Sequence, residues 1–206
     1  MPAFSWNEIH HAFLLLWERR PPGLLLYAAG GAVPWLLTGR NSGRLHGDLD
    51  VVVRLEDMPL LRRFLQDQGW YRPDWDSRSL PCNLDGADYG LQALTAGVPV
   101  NFAPFLSSGA NLIQRNFTLA SQAGFDSMIT AVMGDLSASD YAVLSPAPGT
   151  GIVGTLSPEV VRAAKERSAQ DRDLPDLEAL ASLPFDPARY RRVKEAVSGM
   201  QIRFQG

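Results

Sequence analysis

Apolar residues recur at helical spacing between Trp6 and Arg19, at Ile9, Phe13, Leu14, Leu16 and Trp17, and the run stops at "RRPPG", where proline cannot continue a helix. "LLLYAA" then reads as a short buried strand, Gly30 and Gly31 as a turn, and "AVPWLL" as a helix with Pro34 in its first turn. "DLDVVV" has the β-branched composition of a strand. Met58 to Gln68 follows as an amphipathic helix, with Asp57 as its expected N-cap and Gly69 closing it. "YGLQAL", "TAG" and "VPVNFAPF" read as two apolar strands joined by a short glycine-containing loop, a hairpin. From about Ala110 the strand signals fade. "SPEVVRAAKERSAQDRDLPDLEALASL" is helical, opened by Ser157 and Pro158, and Asp186-Pro187 repeats that signature before a last helix. The pattern predicts an α+β protein: a small mixed sheet flanked by helices over residues 1–115, and a mostly helical C-terminal lobe over 116–206.

Composition narrows this further. A chain of 206 residues, 46% hydrophobic and 20% charged, has the size of one domain or two small ones with a real core. The longest apolar runs are interrupted by Glu18, Arg19, Pro21, Pro22 and Gly30, well short of the roughly 20 residues of a membrane span, so no bilayer crossing is expected. "MPAFSWNEIHH" lacks the basic start and cleavage site of a secretory signal, and the single cysteine, Cys82, cannot form an internal disulfide. Both features predict a cytoplasmic protein. The net charge of −3 argues against a broad basic face that coats nucleic acid.

The densest chemistry lies between Ala28 and Val53. Residues two apart on a strand share a face, so Asp48 and Asp50 stand together, with Leu49, Val51 and Val53 on the opposite face. Two carboxylates this close repel unless a proton or cation lies between them, and a hard ion such as Mg²⁺, which usually arrives with substrate phosphates, suits them. Gly30 and Gly31 let backbone N–H groups approach a phosphate, and Arg40, Arg44 and His46 lie on the loop between glycines and aspartates. Singly, each is common: a plain turn, a solvated strand edge, a soluble loop, a structural histidine. Their occurrence in order within one strand, turn, helix, loop and strand points to a nucleotide triphosphate held with its metal.

"GGAVPWLLTGRNSGRLHGDLDVVV" resembles the nucleotidyltransferase superfamily, which has a DNA polymerase beta-like fold and carries a Gly-Gly or Gly-Ser turn before an Asp-x-Asp strand. More narrowly it is similar to lincosamide nucleotidyltransferases, aminoglycoside 2″-adenylyltransferases and related toxin-type enzymes. The resemblance implies Mg²⁺-dependent transfer of a nucleoside monophosphate, AMP above others, from a triphosphate to a hydroxyl on a small molecule such as an antibiotic, or on an RNA end such as tRNA. Asp48 and Asp50 would then be catalytic and hold one or two Mg²⁺ ions. Gly30, Gly31, Arg40, Arg44 and His46 would bind the nucleotide. A weaker likeness extends to the segment holding Lys165, Arg172, Asp173 and Asp176, with Lys165 at the nucleotide.

One position departs from the family pattern. Where relatives place a third carboxylate after the hairpin, this chain has Asn101, which can offer a carbonyl oxygen but cannot take a proton from an attacking hydroxyl. Three readings stay open: another base such as Asp85 or Asp88 acts, the acceptor needs little base help, or catalysis is lost and the protein is a nucleotide sensor or partner-binding module. For the acceptor, Asp74, Asp76, Asp85 and Asp88 could attract a cationic drug, Arg189, Arg191, Arg192 and Lys194 could line a groove for tRNA, and "GWYRPDWDSRSLPC" could wall a pocket.

Overall fold

The computed structural model describes residues 3–79, 87–109, 111–121 and 124–205; Cys82 and Asp85 lie outside them. Helix α1 (Trp6–Arg19) opens with a reciprocal cap: the Ser5 hydroxyl accepts from the Glu8 N–H, and the Glu8 carboxylate accepts from the Ser5 N–H. Strand β1 (Leu26–Ala28) is wholly buried, a short turn of 3₁₀ helix at Gly30–Ala32 follows it, and α2 (Val33–Thr38) carries Pro34 in its first turn. Strand β2 (Leu49–Arg54) leads through a second 3₁₀ turn to α3 (Met58–Asp67). Asp57 stands at the α3 N-cap but its side chain makes no capping bond, because the preceding 3₁₀ turn already places it in a helical backbone conformation. Strands β3 (Tyr71–Arg72), β4 (Leu91–Thr95) and β5 (Val98–Ser108) follow, and β4–β5 is the expected hairpin.

The expectation that strands fade after Ala110 is corrected. Strands β6 (Leu112–Ser121), β7 (Gly124–Met133), β8 (Ala142–Ala147), β9 (Gly151–Leu156) and β10 (Gln201–Gln205) all lie beyond it. In β6 the apolar signal is diluted by polar residues at every second position, Gln114, Asn116 and Thr118, whose neighbours Ile113, Arg115 and Phe117 face the other way. The sheet is therefore ten-stranded rather than small, and residue 115, the expected boundary, falls inside β6. The predicted helices are present beside these strands as α5 (Pro158–Ser168), α6 (Leu174–Ala181) and α7 (Pro187–Ser198), preceded by a short α4 (Ala138–Tyr141) that the sequence pattern did not predict. Ser157 and Asp186 cap α5 and α7 as their sequence predicts. The helical segment expected after Ser157 is divided at Ala169, whose φ is 49°, into α5 and α6.

The sheet runs β10-β7-β6-β5-β2-β1-β9-β8, with β4 also on β5 and β3 on β4. Strands β2 and β5 are parallel, and so are β1 and β9. Helix α1 packs against β4 and β5; α5 packs against α6, α7 and β9. No helix among the described residues is long and apolar enough to cross a membrane.

Candidate active site

The alternation of β2 sets the site. Alternation puts Leu49, Val51 and Val53, each 1% exposed or less, on one face and Asp48 and Asp50 on the other, which they share with the equally buried Val52. On the parallel neighbour β5, Asn101 lies beside Asp50. Its amide Nδ2 donates to Asp48 Oδ2 at 2.7 Å and to Asp50 Oδ1 at 3.4 Å, while its Oδ1 accepts from Gln92 Nε2 at 2.8 Å. Gln92 was not anticipated from the sequence; it is opposite Asn101 in the β4–β5 hairpin, so only the register reveals it. Loss of solvation and, second, the charge of Asp50 raise the Asp48 carboxyl above its ordinary value, against hydrogen bonding by Asn101 and the charge of Arg172.

Glycine is required twice beside these carboxylates. Gly30 has φ of 57°, and a Cβ there would lie 2.9 Å from Asp50 Oδ2. A Cβ at Gly31 would run into the Arg44 guanidinium. Arg44 Nη2 in turn donates to Asp176 Oδ2 at 2.8 Å, and Lys165 Nζ reaches Asp176 Oδ2 at 2.7 Å and Asp173 Oδ1 at 2.6 Å. Trp35 Nε1 donates to Asp176 Oδ1 at 2.8 Å. Asp176 is completely buried and gathers these three donors, so it ties the glycine-turn helix, the arginine loop and α5 into one wall.

His46 is buried, its backbone N–H donates to the Phe4 carbonyl while its own carbonyl accepts from the Phe4 N–H, and its Nε2 lies 2.9 Å from the Ser42 hydroxyl. Burial, followed by the nearby Arg44 charge, lowers its pKa to about 4, so it is neutral near pH 7 and holds the loop rather than serving as a phosphate cation. Arg40 is exposed and does not reach the cavity beside the other residues.

That cavity measures about 670 Å³. Gly30, Gly31, Arg44, His46, Asp48 and Asp50 form one side, Lys165 and the turn to Asp173 roof it, and the face of β6 and β7 continues its floor. The acidic residues expected at an acceptor pocket do not line it: Asp76 and Asp88 are buried on Arg62, and Asp74 is exposed and paired with Arg72. Asp88 therefore does not supply the missing base. The basic residues of the last helix are mostly engaged as well, Arg189 and Arg192 with Asp140 and Lys194 with Glu166. Trp70 of the aromatic loop packs edge-on against Phe64, away from the cavity.

No protein-family model matches the chain, and no curated protein matches it by sequence. Solved structures match it by shape. The lincosamide antibiotic adenylyltransferase LnuA, solved with lincomycin bound, superposes with a TM-score of 0.56 at 14% identity, over 89% of this chain and 100% of that one. The antibiotic-resistance factor ANT(2'')-Ia gives a TM-score of 0.52 at 15% identity, over 94% of this chain and 90% of that one. The chain has the fold of these two proteins. The α+β class and the resemblance drawn from the Gly30–Asp50 stretch thus hold at the level of fold. At this identity the shared fold carries no residue roles across, and function is argued from the site itself.

Proposed function

We propose that the protein is an Mg²⁺-dependent nucleotidyltransferase that moves a nucleoside monophosphate, AMP above others, from a nucleoside triphosphate to a hydroxyl of a small-molecule acceptor. The observation that carries this reading is the Asp48–Asp50 pair, aimed into a cavity with a neutral amide between the carboxylates instead of a protein cation. The donor set suits Mg²⁺, which binds through one or two carboxylates and completes its shell with phosphate oxygens and water. Asp48 and Asp50 would hold it, and when bound it offsets the charge of the phosphates and of the departing pyrophosphate.

The chain's own residues do the rest by position. Gly30 leaves room for the triphosphate against Asp50, and Arg44 and Lys165, fixed by Asp176, present positive charge along one side. The acceptor oxygen forms a bond to the α-phosphorus as the bond from that phosphorus to the pyrophosphate oxygen breaks. Asn101 cannot accept the hydroxyl proton, which leaves to water at the exposed Asp48 side of the cavity.

A second reading has one observation in its favour. Asn101 Nδ2 donates to both carboxylates and occupies acceptor capacity that a third carboxylate would leave open, which fits a nucleotide sensor with little or no turnover. The test is incubation with Mg²⁺ and each of the four triphosphates, alone and with lincosamides, aminoglycosides or total tRNA, while pyrophosphate is measured. Acceptor-dependent release supports the transferase, binding without release supports the sensor, and no nucleotide binding rejects both.

A further inference from the structure

The cavity extends beyond the carboxylates along the same face of the sheet. Asn101 and Phe105 share a face of β5, and Arg115 on β6 stands directly opposite Phe105. Four residues of strand separate Arg115 from the Asn101 position, a span of about 13 Å. At that inner end the wall is apolar, formed by Phe117, Met133, Val160 and Val161. Two polar groups interrupt it. Arg115 Nε is buried without a hydrogen-bond partner, and the hydroxyl of Tyr141, a residue only 1% exposed, has no neighbour of that kind other than the Arg115 guanidinium. The guanidinium rests over the Phe117 ring at 5.4 Å, and the Tyr141 ring packs on Phe105 at 5.2 Å, so both are held in place.

Charge accounting singles out Arg115. Arg44 and Lys165 are ion-paired with Asp173 and Asp176 and already assigned to the triphosphate side, whereas Arg167 and Arg172 are exposed at the rim. Among the described residues Arg115 is in no ion pair, and its strand position is displaced along the sheet from the Asp48–Asp50 pair. A buried donor left unpaired is costly, and a guanidinium beside a phenol suits an acidic group that accepts from both.

We propose that Arg115 and Tyr141 form a recognition site for an acidic group, a carboxylate or phosphate monoester, on the acceptor, which is therefore an amphipathic hydroxy acid and not a polycation. The placement of its hydroxyl at Asp48 and Asp50 rests on the nucleotidyl-transfer reading; the acid site does not. Binding is measured by calorimetry on the full chain without nucleotide, using ω-hydroxydodecanoate, ω-hydroxydodecyl phosphate, the neutral amide of the former, and the cationic ω-amino alcohol. The expected result is that at least one of the two acids binds about tenfold or more tightly than the amide, with no binding of the amine. Arg115→Met should remove that advantage while melting temperature and Mg²⁺–ATP affinity stay as in the parent. Equal binding of acid and amide, an undiminished acid affinity in R115M, or a loss of ATP affinity in R115M would overturn the proposal. Acid binding without pyrophosphate release would instead count against the transferase reading and leave this site standing.

Discussion

Two of the places where the described residues bring a pair of aspartates together differ in where the neutralising charge comes from. At the first, Arg62 of α3 lies between Asp76 and Asp88, with Nε and Nη2 on Asp76 at 2.6 and 2.9 Å and Nη1 and Nη2 on Asp88 at 2.6 and 3.0 Å. The Tyr71 and Ser77 hydroxyls and the N–H groups of Arg78 and Gly90 fill the remaining acceptor sites. All three charged residues are buried, and the cluster is complete. At the second, Asp48 and Asp50 share only the Asn101 amide and open to the cavity. A carboxylate pair that carries its own cation is a structural element; one that lacks it leaves negative charge to be met from outside the chain.

The largest effect is expected from breaking the complete cluster. Arg62→Met leaves the buried Asp76 without its cation and Asp88 with only Arg78 at 3.7 Å, and should cost about 3–5 kcal/mol, read from urea denaturation. The open pair should respond in the opposite sense. Asn101→Asp adds a third carboxylate where the amide now donates, and should raise apparent Mg²⁺ affinity about tenfold, near 1.4 kcal/mol, while lowering stability in the absence of metal. If the protein is a transferase, the same variant should also increase pyrophosphate release, because a proton acceptor is restored.

A smaller effect separates the two pairs by pH. Burial pushes the Asp76 carboxyl up, but the hydrogen bonds and charge of Arg62 outweigh it and hold it below the ordinary 3.8. A group lowered in the folded state contributes stability that is present above its unfolded value and is lost as the pH falls through the folded one. Stability should therefore decline on acidification below about pH 4, and the decline should be shallower in Asp76→Asn, as followed by denaturation at a series of pH values.

What could be read from the sequence, and what could not, follows the range of the interactions. Period-two alternation was enough to place Asp48 and Asp50 on one face, since side chains two apart on a strand point the same way. Local capping chemistry located the starts of α5 and α7. Contacts between distant segments were not legible. Asp176 lies 132 residues from Arg44 and 141 from Trp35, so although the family likeness includes its segment, no local pattern shows which partners it anchors. Gln92 needed the hairpin register, and Arg62 looked like any helix-surface arginine until Asp76 and Asp88 were seen to close on it. The β6–β7 hairpin escaped notice because its alternating polar face, with Asn116 and Thr130 hydrogen-bonded to each other, is buried rather than solvated.

The most direct test of the difference between the two aspartate pairs is equilibrium binding of ATP, with and without Mg²⁺, to the parent protein and to Asp50→Asn. The parent should bind ATP only weakly without Mg²⁺ and much more tightly with it, and Asp50→Asn should lose that gain while melting at or above the parent temperature, since a carboxylate repulsion has been removed. ATP binding that is indifferent to Mg²⁺, or a Mg²⁺ gain that survives in Asp50→Asn, would contradict the account.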